Sequence, residues 1–210
     1  MKYTHIVWDF NGTILDDVQI CIDSVNMLLE ARGLPLLASV EAYRAVQEFP
    51  VIGYYKKIGF DFSKESFDDV AVEWVAEYMR RFPTAKVYDG ALEMVDKLRA
   101  NGAKQVLLSA TQLKMLQGQV ESLAIGRYFD EIRGMDNIYA HGKISLAEAW
   151  KEANPDSVPL FIGDTDHDLA VARSIGADCI LFAGGHQARE RLSALGVPVI
   201  DSFDQLNQYL

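Results

Sequence analysis

The sequence predicts an α/β fold: a parallel sheet flanked by helices on both faces, with an all-helical domain inserted near its start. Three observations carry this. Short runs rich in β-branched and aliphatic residues alternate with helical patterns, the signature of strand–helix–strand units. That alternation lapses after the first strand, where only helical periodicity is found until about residue 83. The 210 residues are half hydrophobic and 24% charged, an ordinary globular composition with enough length for a large core.

The strands read in order as residues 4–8, 104–108, 131–133, 159–162, 179–182 and 197–200. The second is introduced by Asn101-Gly102, a helix stop. Between them, residues 90–100 set Leu92, Val95 and Leu98 on one helical face. Residues 112–122 and 144–153 read as helices, and 169–175 as one ending at Gly176. The intervening block carries helical patterns at 18–32, 40–48 and 67–82, punctuated by Gly33, Pro35, Pro50, Gly53, Gly59 and Pro83. Inserted after the first strand, it is expected to lie over that strand's C-terminal end. The expected organisation is a core of residues 1–14 and 84–210 with a helical cap of residues 15–83.

A net charge of −10 argues against nucleic acid, whose binding needs a basic face. Cys21 and Cys179 stand alone, which suits a reducing compartment better than a disulfide framework. The chain enters a strand at once and has no apolar stretch of membrane-spanning length. The expectation is a cytoplasmic protein with no membrane partner, either monomer or homodimer.

Chemistry concentrates where predicted strands end. His5-Ile6-Val7-Trp8 delivers Asp9 to the turn Phe10-Asn11-Gly12-Thr13, and in open α/β sheets ligands bind at such strand ends. Ser109 directly follows Val106-Leu107-Leu108, placed to donate to an anionic oxygen or to cap the next helix. Lys143 follows His141-Gly142, ahead of a helix, where it would hold a neighbouring carboxylate ionised. Gly163-Asp164-Thr165-Asp166-His167-Asp168 follows Leu160-Phe161-Ile162 and offers hard oxygen ligands suited to Mg²⁺. The same aspartates would also favour the positive end of a helix.

In order and spacing, Asp9-x-Asn11-Gly12-Thr13, Ser109, Lys143 and Gly163-Asp164-x-x-x-Asp168 resemble the four motifs of the haloacid dehalogenase superfamily. Tyr88-Asp89-Gly90 is similar to the segment leading from cap back to core, and Gly184-Gly185-His186-Gln187 to the last loop. The chain looks most like phosphoglycolate-phosphatase-like members, with a Rossmann-like core and a helical cap. The resemblance implies a Mg²⁺-dependent phosphatase for a small phosphorylated metabolite, with an aspartyl-phosphate intermediate on Asp9. It implies Mg²⁺ on Asp9, Asp164 and the backbone carbonyl of Asn11, with Asp168 behind them. It implies a phosphate cradle of Ser109, Lys143, Gly12 and Thr13, with Lys143 also orienting Asp9.

The superfamily's phosphatases carry a second aspartate where this chain has Asn11. That carboxyl protonates the leaving alkoxide, a role contributing roughly 10²–10⁴-fold in rate. Three explanations are open: a leaving group stable as an anion, such as that of an acyl phosphate; an altered or weakly active protein; or another proton carrier, His167 or His186. A regulatory protein that binds Mg²⁺ and phosphate with vestigial catalysis is a second reading. A dehalogenase or a phosphonatase of the superfamily is a third. Dehalogenases have no need of Asp164 and Asp168, and a phosphonatase would need a cap lysine, for which Lys56 and Lys57 are available.

Overall fold

The computed structural model describes residues 2–136 and 142–210, so His141 lies outside the described residues. Six parallel strands form the core sheet: β1 (His5–Trp8), β4 (Lys104–Gln112), β5 (Glu131–Met135), β6 (Pro159–Gly163), β7 (Asp178–Phe182) and β8 (Val199–Ile200). Their order across the sheet is β5-β4-β1-β6-β7-β8. β1 lies inside, with Val7 beside Val106 of β4 and Phe161 of β6. The chain leaves β1 towards β4 and β5, then returns to its other side at β6. The crevice at β1's C-terminal end is therefore the topological switch point.

The β1 residues are all buried because helices cover both faces of the sheet. Side chains alternate across a strand, so Ile6 and Trp8 face one layer and Val7 the other. The first layer holds α5 (Ala91–Ala100) and α6 (Leu113–Ser122), and its apolar cluster continues into the cap. The second holds α7 (Lys143–Ala153), α8 (Asp166–Ser174) and α9 (Arg189–Ser193), with Trp150 and Phe161 at its centre.

The inserted block folds as α1 (Val18–Ala31), α2 (Val40–Val46), α3 (Val51–Lys57) and α4 (Phe67–Arg81). α1 packs along α4. Two features here escape the sequence patterns. Residues 51–57 form a short helix, too brief for periodicity to reveal. At the junction, β2 (Leu15–Asp16) and β3 (Lys86–Val87) pair antiparallel, binding the two crossings of the chain together. Another difference concerns α8, which starts at Asp166 rather than at 169. Thr165 caps it in a reciprocal capping box with Asp168.

Among the described residues, no helix is long and apolar enough to cross a membrane.

Candidate active site

Asp9 continues the ladder one step past β1, its amide donating to Ile162 O at 2.9 Å. The carbonyl of Phe10 then accepts from the amides of Ile14 (3.0 Å) and Leu15 (2.8 Å), closing a tight turn. Gly12 takes φ +76° in that turn, and a Cβ there would strike the Asp164 carboxylate and the His186 ring. Only glycine allows both the backbone conformation and the close approach.

The predicted strand-end residues converge. Lys143, buried at the start of α7, binds Asp9 Oδ1 and lies 2.6 Å from Asp168 Oδ1. Asp168 Oδ2 accepts from the amides of Asp164 (3.1 Å) and Thr165 (3.0 Å) and from the Thr165 hydroxyl (2.7 Å). Asp168 therefore fixes both the lysine and the loop presenting Asp164. Thr13 Oγ1 donates to Asp164 Oδ1 (3.2 Å), and the His186 amide donates to Asp164 Oδ2 (2.6 Å).

Carboxylate oxygens of Asp9, Asp164 and Asp168 all lie within 4.8 Å of one another, and all three residues are buried. Among the described residues, Lys143 is the one lysine or arginine paired with them. Burial, then the carboxylates of Asp168 and Asp164, push Asp9 upward to about 8, against the pull of Lys143. Burial likewise raises Asp164 to about 6. Asp168 is held below its usual range: burial opposes this, but Lys143 and the Thr165 bonds outweigh it. Burial would strip Lys143 of its proton, yet Asp168 and Asp9 more than reverse that and keep it charged. A buried, hard-oxygen donor set with this excess of negative charge fits a divalent cation.

Ser109 sits inside β4 and caps no helix. Where the β4–β5 register slips between Leu108 and Gln112, the freed Thr111 amide donates to Ser109 Oγ at 3.0 Å. Such irregularities are common beside functional sites, because they re-aim a side chain. The hydroxyl proton of Ser109 meets Asn11 Oδ1 only at 3.5 Å, so it can serve another acceptor.

Asn11 is tied on both sides. Its Oδ1 accepts from Thr111 Oγ1 (2.9 Å), and its Nδ2 donates to Asp17 Oδ2 (2.7 Å) and Tyr78 Oη (3.0 Å). Asp17 stands at the N-cap of α1 but caps nothing with its side chain. Its carboxylate instead accepts from the Gly12 amide (3.0 Å) and the Tyr78 hydroxyl (2.8 Å), and pairs with His186 Nε2 at 3.2 Å. Burial opposes ionisation of Asp17, but His186 and these donors hold its carboxyl below the usual range. Burial would also neutralise His186, but Asp17 prevails and raises it to about 9. The charged ring directs Nδ1 to the Tyr43 hydroxyl, 2.9 Å away.

Sequence reasoning missed Asp17, Tyr78 and Thr111. Thr111 had a signal, since it shares a strand face with Ser109. Asp17 reads in sequence as an ordinary helix cap, and Tyr78 is brought in only by cap packing. The two histidines named as alternative proton carriers both line the cavity. His186 is buried, and His167 stacks on Phe49 with ring centroids 4.6 Å apart. Burial holds the His167 ring below its ordinary pKa, hence neutral. Lys56 and Lys57 are exposed, and Lys57 pairs with Glu48, so neither reaches the site.

α2 is fastened to the core loop beside Asp164. Arg44 donates to the carbonyls of Gly185 (2.8 Å) and Gly184 (2.5 Å). Between cap and core lies a cavity of about 200 Å³ opening onto Asp9, Lys143 and Ser109.

A haloacid dehalogenase-like hydrolase family model matches residues 6–182. The chain belongs to that family. This hydrolase is 27% identical over 191 residues to a phosphoglycolate phosphatase of Pseudomonas fluorescens, covering 86% of the chain and 70% of the relative. It is 23% identical to a phosphoglycolate phosphatase of Caulobacter vibrioides, with 94% and 86% covered. Its fold matches that of a haloacid dehalogenase-like hydrolase from Streptococcus pneumoniae with a TM-score of 0.84 at 16% identity, covering 99% of this chain and 98% of that one. A crystal structure of CbbY from Rhodobacter sphaeroides in complex with phosphate gives a TM-score of 0.73 at 16% identity, with 97% and 96% covered. At these identities the two structures speak for the fold alone.

Proposed function

We propose that this hydrolase is a Mg²⁺-dependent phosphatase acting on a small phosphorylated metabolite through an aspartyl-phosphate on Asp9. The observation that carries the reading is the placement of Asp9. It stands at the switch point of the sheet, held by Lys143 and facing both Ser109 and the cavity. Curated relatives that bear the name phosphatase support the same reaction class.

Asp9 attacks phosphorus in line with the leaving oxygen, and water then hydrolyses the acyl phosphate. Lys143 orients Asp9 and neutralises charge on the phosphoryl oxygens. Ser109, whose hydroxyl proton is uncommitted, completes the cradle; the expected donors Gly12 and Thr13 act indirectly instead, the Gly12 amide being taken by Asp17 and the Thr13 hydroxyl by Asp164. Asp9, Asp164 and the Asn11 carbonyl would hold Mg²⁺, with Asp168 positioning the loop. When bound, the cation neutralises charge developing on the phosphoryl group. Asn11 cannot carry a proton, and both of its polar atoms are already engaged.

That last observation favours one rival, a Mg²⁺- and phosphate-binding regulatory protein with vestigial catalysis. Phosphate release from p-nitrophenyl phosphate and acetyl phosphate separates the two. Mg²⁺-dependent release that Asp9→Ala abolishes is the expected result. Metal binding without turnover of either compound selects the rival.

A further inference from the structure

The cavity wall above Asp9 has a distinct chemistry. Phe49, Tyr54, Phe67, Trp74, Tyr78 and Met115 line it, contributed by the cap and by α6. Trp74 and Tyr78 stack with ring centroids 5.0 Å apart. An apolar cavity of roughly 150 Å³ is enough to accept a benzene ring. The 200 Å³ here has room for one ring beside the phosphoryl group.

Cations are spent elsewhere. Among the described residues lining the cavity, Lys143, His167 and His186 are the only basic side chains. Lys143 is bound by Asp9 and Asp168, His186 by Asp17, and His167 lies flat on Phe49. The cap's Arg44 is used on two backbone carbonyls of the core. A carboxylate on the substrate, in addition to its phosphate, would enter an apolar pocket unpaired, at a large desolvation cost.

Position 11 leads to the same place independently. Asn11 has no proton to give, and its Nδ2 is committed to Asp17 and Tyr78. An aliphatic alkoxide is a base comparable to hydroxide, whose conjugate acid has pKa about 15.7. A phenolate, with conjugate acid near pKa 10, departs without being protonated.

We propose that the substrate is an aryl phosphate: a monoester whose leaving group is a phenol and whose only anionic group is the phosphate. This rests on the phosphatase reading of Asp9 and names the substrate class for it. An Asp9 oxygen forms a bond to phosphorus while the phosphorus–aryl oxygen bond breaks, its electron pair staying on the phenolate. The phenolate takes a proton from solvent. Water then cleaves the aspartyl-phosphate, restoring Asp9, and its second proton leaves with inorganic phosphate.

Kinetics with Mg²⁺ on acetyl, phenyl and benzyl phosphates and on phosphoglycolate test this. Phenyl phosphate should exceed phosphoglycolate in kcat/KM by about tenfold or more, since pocket contacts discriminate on this scale. Benzyl phosphate, aromatic but with an alkoxide leaving group, should share its KM yet fall about tenfold or more in kcat. Trp74→Leu should lower the phenyl to acetyl phosphate ratio of kcat/KM about tenfold. Val75→Arg, which adds a cation to the wall, should shift preference towards phosphoglycolate and serves if Trp74→Leu does not fold. Benzylphosphonate should quench tryptophan fluorescence in the unsubstituted protein and not in Trp74→Leu. Turnover of acetyl phosphate with phosphoglycolate equal to or better than phenyl phosphate overturns the aryl assignment alone. No turnover of any compound overturns the phosphatase reading beneath it.

Discussion

Asn11 donates its carboxamide to the buried carboxylate of Asp17 across 2.7 Å, and Tyr78 bridges the same two groups. Position 11 is thus matched to position 17, and an aspartate there would set two carboxylates against each other. Such a pair shares a proton, raising one pKa. Asn11→Asp should therefore supply an acid and raise turnover of a simple alkyl phosphate about tenfold or more. It should also cost stability. The raised carboxyl is neutral at low pH, so the penalty appears as pH rises through its pKa. Melting curves should show the variant falling further below the unsubstituted protein at pH 8 than at pH 5. Adding Asp17→Asn should remove that pH dependence. Matching pH profiles for Asn11→Asp and the unsubstituted protein would refute the coupling.

His186 provides a second pH signature. Its pKa is raised from an ordinary 6.5 to about 9 by Asp17, against the burial that opposes it. The stabilisation from this pair is complete below about pH 6.5 and is lost as pH rises through about 9. Asp9, raised by burial to about 8, adds loss in the same direction in metal-free protein. Thermal melts in chelator should thus decline from pH 6 to pH 10, and more gently in His186→Gln. Parallel profiles for the two proteins would remove the ion pair from the account.

Three buried carboxylates against one lysine also predict a large metal effect. Mg²⁺ at about a hundred times its dissociation constant should add about 2.7 kcal/mol. For a chain of this size that is roughly 5–10 °C in Tm. Asp164→Asn should abolish the shift; retention of the full shift would place the metal elsewhere.

Arg44 joins α2 to the Gly184 and Gly185 carbonyls through charged hydrogen bonds. Charge-assisted bonds of this kind are worth about 1.5–3 kcal/mol. Arg44→Ala should loosen the cap and raise KM by about tenfold while lowering kcat less. An unchanged KM on an aryl phosphate would show that cap closure does not depend on this contact.

Much of the site was legible because strand ends advertise themselves. Asp9 and Asp164 each follow a run of apolar strand residues, and parallel strands must bring such ends to one edge; Ser109 was read the same way, although β4 runs on past it to Gln112. Lys143 was found through motif spacing, and Asp168 as one of three carboxylates clustered behind a predicted strand. The residues 51–57 helix and the Leu15–Asp16/Lys86–Val87 pairing were not legible, being too short for periodicity. Asp17 was hidden for a different reason. An aspartate before a helix already has a sufficient local explanation as a cap, and only its turned side chain reveals the other role.

By itself the sequence determined the α/β class, the family motifs and the absence of a proton carrier at position 11, since these depend on residue type and spacing along the chain. Tertiary structure alone decided what surrounds that position. Asp17 and Thr111 reach Asn11 from the cap junction and a slipped strand, and Tyr78 from a helix far along the chain. The apolar wall is likewise assembled from separate cap segments and α6. Tyr78, Thr111 and the wall come in by packing across long sequence separations, and Asp17, only six residues from Asn11, by a side chain turned back over the tight turn, which no residue pattern encodes.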